Sequence, residues 1–139
     1  MADRVFEELG EEQCLALIAS GGIGRIAYAS RFGTAVLPVN YALQDGAIVF
    51  RTTENGPLDE DLRTGIADAD YIVAFEIDSY DLVAKQGWSV LIQGPAHRVT
   101  GSGEDAVRAA GVEPWAPGDR ELFIRIVPSR ITGRRVGAA

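Results

Sequence analysis

Cysteine, histidine, methionine and lysine each occur once in this 139-residue chain. A lone Cys14 excludes an internal disulfide and any cysteine-built zinc site. Among Leu15, Leu17 and Ile18 it reads as a buried, inert helical thiol. His97 has no second imidazole, thiol or carboxylate at ligand spacing, so no metal site is expected. Serine and aspartate are present but no nucleophile-elbow spacing is, which leaves hydrolase chemistry without support. No apolar run approaches the ~18 residues that span a bilayer. The opening MADRVFEELGEEQ is acidic and lacks the charged-then-apolar order of a secretion signal. A soluble, cytoplasmic protein with no membrane partner is the expectation. Of thirteen basic residues only Lys85 is lysine, and the net charge is −7. That balance disfavours a nucleic-acid partner. Any anion contact would be made by planar arginine forks.

What is there is strand-rich. The length suits one domain, residues 1–139, with an N-terminal helix over about 3–20 and a barrel over about 23–136. Phe6, Leu9, Cys14, Leu15, Leu17 and Ile18 give the helix an apolar stripe that Gly21-Gly22 stops, and Gly10 is a point where it could divide. Ile23–Ala29 reads as a strand. Ala35, Leu37, Val39, Tyr41 and Leu43 alternate along the next one, and Gln44-Asp45-Gly46 makes a tight turn. Pro38 cannot donate to a ladder, so that strand must be an edge there, bulged, or paired on one side only. Further strands are expected at Tyr71–Asp78, at Gly87–Thr100 with a bend at Gly94-Pro95, and at Glu121–Val127. Pro128–Val136 would add an edge segment, and short helices would follow Pro57 and Glu104. About six strands joined by short loops predict a mainly β protein, an antiparallel sheet curled into a small barrel.

The chemical interest lies where the strand ending Phe50-Arg51-Thr52-Thr53 runs toward Asn55-Gly56-Pro57. One guanidinium, two hydroxyls and a helix start make the inventory of a phosphate or carboxylate site. Arg51 could equally pair with Glu54 or Asp59 at the surface, and threonines are ordinary strand formers. Trp88 fits packing or a ligand face. Trp115 sits between prolines in a loop where it could cover a ligand. Arg120 is a candidate substrate or cofactor contact. The remaining C-terminal arginines are expected to pair with the acidic N-terminal helix, and His97 to face solvent. Gly21-Gly22-Ile23-Gly24 runs from helix to strand, the reverse of a dinucleotide fingerprint.

The order GRIAYAS, VLPVNY, DGAIVFRT, VAFEID, GWSVLIQG and PWAPGDRELFIRIVPSRITGRR resembles the pyridoxamine 5′-phosphate oxidase-like, flavin-binding split-barrel family, in its short actinobacterial branch. The resemblance implies a six-stranded antiparallel split barrel that forms a homodimer with two flavin mononucleotide (FMN) sites at the seam. By motif position, Arg51, Thr52 and Thr53 would hold the phosphate, and Val39, Asn40 and Tyr41 would border the flavin. Trp88 and Ser89 would come from near the partner subunit. One departure stands out: Pro57 falls where relatives carry a phosphate-neutralising lysine, beside the carboxylates of Asp59, Glu60 and Asp61. The implied function is an FMN-dependent oxidoreductase acting on an unknown small molecule, with no catalytic residue marked out. The alternatives are a non-catalytic flavin- or haem-binding dimer, a dimer without ligand, and a deazaflavin-dependent reductase, which the acidic charge disfavours.

Overall fold

A computed structural model of the chain describes residues 4–52, 71–99, 111 and 122–138. In these residues the order is β1 (Arg4–Leu9), α1 (Glu11–Ile18), β2 (Gly22–Ser30), β3 (Gly33–Gln44), β4 (Ala47–Thr52), β5 (Tyr71–Asp81), β6 (Gln86–Val99), β7 (Leu122–Ile126) and β8 (Arg130–Ala138). The helices expected after Pro57 and Glu104 fall outside the described residues.

All the strands pair antiparallel in one sheet of order β1-β8-β6-β5-β2-β3-β4-β7. A further ladder between β6 and β7 closes six of them into a barrel, as expected. Strand β6 makes this possible by serving two partners along one edge. Its first half, Gly87–Gln93, pairs with β8, and its last residues, Ala96–Val99, pair with β7. The changeover falls at Gly94-Pro95. There Val127 N donates to Pro95 O (3.1 Å) and Ser129 N donates to Gln93 O (2.8 Å), pinning the β7–β8 connection to β6.

The β3–β4 hairpin turns as its sequence requires, with Asp45 and Gly46 both at positive φ (51° and 77°). Pro38 lies in the part of β3, Gly33–Asn40, that pairs only with β2 among the described residues. The missing proline N–H is therefore not needed by a second ladder.

The N-terminal expectation needs correction. Residues 4–9 form a strand, and the helix is confined to Glu11–Ile18. Gly10 separates the two, its N–H donating to Gln13 Oε1 (2.8 Å) at the helix start. The cause is tertiary. Strand β8 offers β1 a full ladder, with Glu7 opposite Arg135 and Glu8 opposite Arg134, and Arg134 lies over the Phe6 ring. The acidic N-terminus and basic C-terminus do meet, but as neighbouring strands. Strand β8 is correspondingly no edge: it lies between β1 and β6.

Inside the barrel, Ile26, Ile48, Phe50, Phe75, Val90, Ile92, Ile124 and Ile126 are fully or almost fully buried. Helix α1 adds Cys14 and Ile18 to the same cluster. Burial, helped by the charge of Glu11, pushes the Cys14 thiol pKa up, which suits the inert role. Tyr41 ties helix to barrel by donating its hydroxyl to Ile18 O (2.9 Å). Among the described residues no helix is long and apolar enough to cross a membrane.

Candidate functional site

The β3–β4 ladder runs from the turn to Tyr41 opposite Phe50 and then stops. Continuing that register sets Asn40 against Arg51 and Val39 against Thr52, where the two strands part. Strand β4 goes on along β7 as far as Thr52, while β3 before Tyr41 has only its ladder to β2 among the described residues. Val39, Asn40, Arg51 and Thr52, four of the residues singled out from sequence, therefore stand just past the end of that ladder.

Alternation divides them between two faces. Arg51, opposite Phe123, lies on the outer face with its guanidinium over that ring, Cζ 5.2 Å from the centroid. Thr52, opposite Leu122, faces inward and is buried. Tyr41 is buried as well, its hydroxyl committed to Ile18 and its backbone in register with Gly22 on one side and Phe50 on the other. Burial pushes the Tyr41 pKa up to about 12, which keeps that hydroxyl a neutral donor.

Trp88 and Ser89 stand on β6, three strands from β3 in the order β6-β5-β2-β3. At ~4.8 Å per strand that is ~14 Å across the sheet. Trp88 packs against the main core, and Ser89 lies opposite Asp78 and Arg134 on the outer face. Within one subunit they do not join the β3–β4 opening. Thr53, Trp115, Arg120 and the Pro57 turn lie outside the described residues. His97 is half-buried on the outer face between β5 and β7, rather than simply facing solvent.

A second cluster went unread in the sequence. On the outer face of β2 and β5, Arg25 Nη1 lies 3.3 Å from Glu76 Oε1 and 3.3 Å from Asp78 Oδ2. Nearby on that face are Ala27, Ala74 and Leu91, with Val36 and Ile72 largely exposed. The Glu76 pKa is pushed up to about 7, first by burial and then by the hydrogen bond and charge of Asp78. Arg25 pulls the other way, yet one guanidinium shared by two carboxylates does not offset both effects. The ion-pair distance alone would suggest a fully ionised Glu76; burial and the second carboxylate argue otherwise.

An unfolded glutamate titrates near ~4.3, so folding takes up a proton between about pH 4.3 and 7. The stability tied to Glu76 is complete below that window and is lost as pH rises through about 7. Glu76→Gln should therefore gain on the wild type as pH rises from 5 to 8. Melting temperatures of both proteins across that range test this, and a constant difference would refute it.

The profile of the pyridoxamine 5′-phosphate oxidase family matches residues 10–135, and the chain belongs to that family. The uncharacterized Mycobacterium tuberculosis protein Rv0080 is 30% identical over 131 residues, covering 94% of this chain and 86% of the relative. A solved Corynebacterium glutamicum structure superposes with a TM-score of 0.77 at 28% identity, covering 100% of this chain and 98% of the other. The structure of an FAD-binding protein from Mycobacterium smegmatis gives a TM-score of 0.68 at 27% identity, covering 94% and 98%.

Proposed function

We propose that this protein is a homodimeric flavin-dependent oxidoreductase that anchors the flavin phosphate at Arg51. The observation that carries the reading is the end of the β3–β4 ladder at Tyr41 and Phe50, just beyond which lie Asn40 on β3 and Arg51 on β4. The family membership and the FAD-binding M. smegmatis relative support it. When bound, the flavin supplies the hydride chemistry. The chain's own groups bind and orient. The Arg51 fork, placed over Phe123, meets phosphate oxygens, and Val39 and Asn40 on β3 border the flavin. A second subunit fits the outer face of β2 and β5, where Val36 and Ile72 stand exposed around the Arg25 cluster. That arrangement would let Trp88 and Ser89 serve the neighbouring subunit's site.

FMN is the cofactor expected from the motifs, and FAD is the one bound by the M. smegmatis relative. Titrating the purified protein with FMN, FAD and riboflavin separates the two and tests the phosphate anchor. Arg51→Ala should weaken the preferred nucleotide by about 1.5–3 kcal/mol, the scale of hydrogen bonds to a charged group, and leave riboflavin unchanged. Equal losses for riboflavin would place the anchor elsewhere. A binder without turnover is the second reading, favoured by the lack of any described acid or base at the opening. Reduction of bound flavin by a nicotinamide donor would decide for the enzyme.

A further inference from the structure

The outer face of β4, β7 and the end of β6 carries three nitrogen-rich side chains and no described carboxylate. In one cross-strand row stand Val49, Arg125 and His97; in the next stand Arg51, Phe123 and Val99. Val49 and Phe123 are fully buried and Val99 nearly so, which places Arg125 among side chains shut away from water. Arg125 Nε is buried and has no hydrogen-bond partner.

An arginine cannot escape this by losing its proton. A buried donor left unsatisfied is destabilising, the more so when the group is charged. Arg51 is its diagonal neighbour across the β4–β7 ladder, ~7–8 Å away at the backbone and within reach of a long side chain. Two permanent cations thus stand on neighbouring strands of one face, both half-buried, and Arg125 has a buried donor without an acceptor. Elsewhere Arg25 holds two carboxylates and Arg134 covers an aromatic ring. Arg125 has neither arrangement. A tetrahedral oxyanion would give Arg125 the acceptor it lacks, and its remaining oxygens would lie within reach of the Arg51 fork.

We infer that Arg125 is the second arm of a phosphate site it shares with Arg51. This rests on the reading of Arg51 as the flavin-phosphate anchor and adds a residue to it. The chemistry is common to the phosphate of FMN, the diphosphate of FAD and free inorganic phosphates, so the test must tell these sources apart.

The test uses the full chain and its Arg125→Leu variant. FMN, FAD and riboflavin are titrated by flavin fluorescence, and inorganic pyrophosphate by its effect on melting temperature. The variant should bind the preferred flavin nucleotide at least tenfold more weakly, bind riboflavin unchanged, and lose the pyrophosphate-induced rise that the wild type shows. Should Arg125→Leu fail to fold, Arg125→Gln carries the same comparison. Unchanged nucleotide affinity together with an undiminished pyrophosphate shift in the variant overturns the inference. So does a wild-type protein whose melting ignores pyrophosphate and flavin nucleotides alike. If Arg51→Ala leaves flavin affinity intact while the pyrophosphate shift still needs Arg125, the flavin reading of Arg51 falls and the oxyanion site at Arg125 stands.

Discussion

Gly94→Ala is expected to destabilise the protein by about 3 kcal/mol or more, at the upper end of overpacking effects. A Cβ at this position would lie 2.0 Å from Val127 O and 2.9 Å from Ser129 N. Both are backbone atoms, and both residues are held there by the hydrogen bonds Val127 N to Pro95 O and Ser129 N to Gln93 O. A clash with a side-chain tip can be relieved by a rotamer change. Here relief would move the connection between β7 and β8, breaking one or both bonds and loosening the changeover that closes the barrel. Chemical denaturation of Gly94→Ala against wild type measures the loss. A difference under 1 kcal/mol would mean that the β7–β8 connection yields freely and that the changeover is not rigid.

Phe75→Ala should cost about 3–5 kcal/mol, the range for a fully buried aromatic whose removal leaves a cavity. The ring is fully buried, stacks against Phe50 with centroids 6.2 Å apart, and meets Tyr41 edge-on at 5.6 Å. It also fills a notch that only a glycine leaves open: a Cβ at Gly24 would come within 2.1 Å of the Phe75 ring. The two positions should therefore be coupled. Gly24→Ala alone destabilises, but in a Phe75→Leu background much of that cost should vanish, because the obstructing ring is gone. Additive losses in the double variant would show that the notch is not shaped by this contact.

How far the sequence could be read depended on the range of the interaction that decides each feature. The Asp45-Gly46 turn and the one-sided pairing at Pro38 are set within a few residues and read correctly, while the alternation along β3 holds for Ala35, Val39, Tyr41 and Leu43 but leaves Leu37 exposed. Gly94-Pro95 is marked in the sequence as a special point of β6, but what happens there is that two strands divide its edge, while its ladder to β5 runs on unbroken. Residues 4–9 misled because their partner, β8, lies more than a hundred positions away. Nothing local distinguishes Glu7 and Glu8 as first-turn helix acids from the same residues facing Arg135 and Arg134. At the candidate site, alternation alone could have told that Arg51 and Thr52 face opposite sides. The Arg25, Glu76 and Asp78 cluster spans fifty residues of chain and needs the β2–β5 register to appear. Arg125 did leave a local trace, as the one charged residue inside the apolar run Leu122-Phe123-Ile124-Arg125-Ile126.

Strand β1 has no described ladder except the one to β8, and Arg4 stands in register with Ala138. Deleting β8 would thus release two strands and leave β6 with a bare row from Gly87 to Gln93, a template for pairing between molecules and for aggregation. The same geometry makes the chain a candidate for circular permutation. A short linker joining residue 138 to residue 4 need bridge only neighbouring strands, and a new start could be opened at the exposed turn of Arg31 and Phe32.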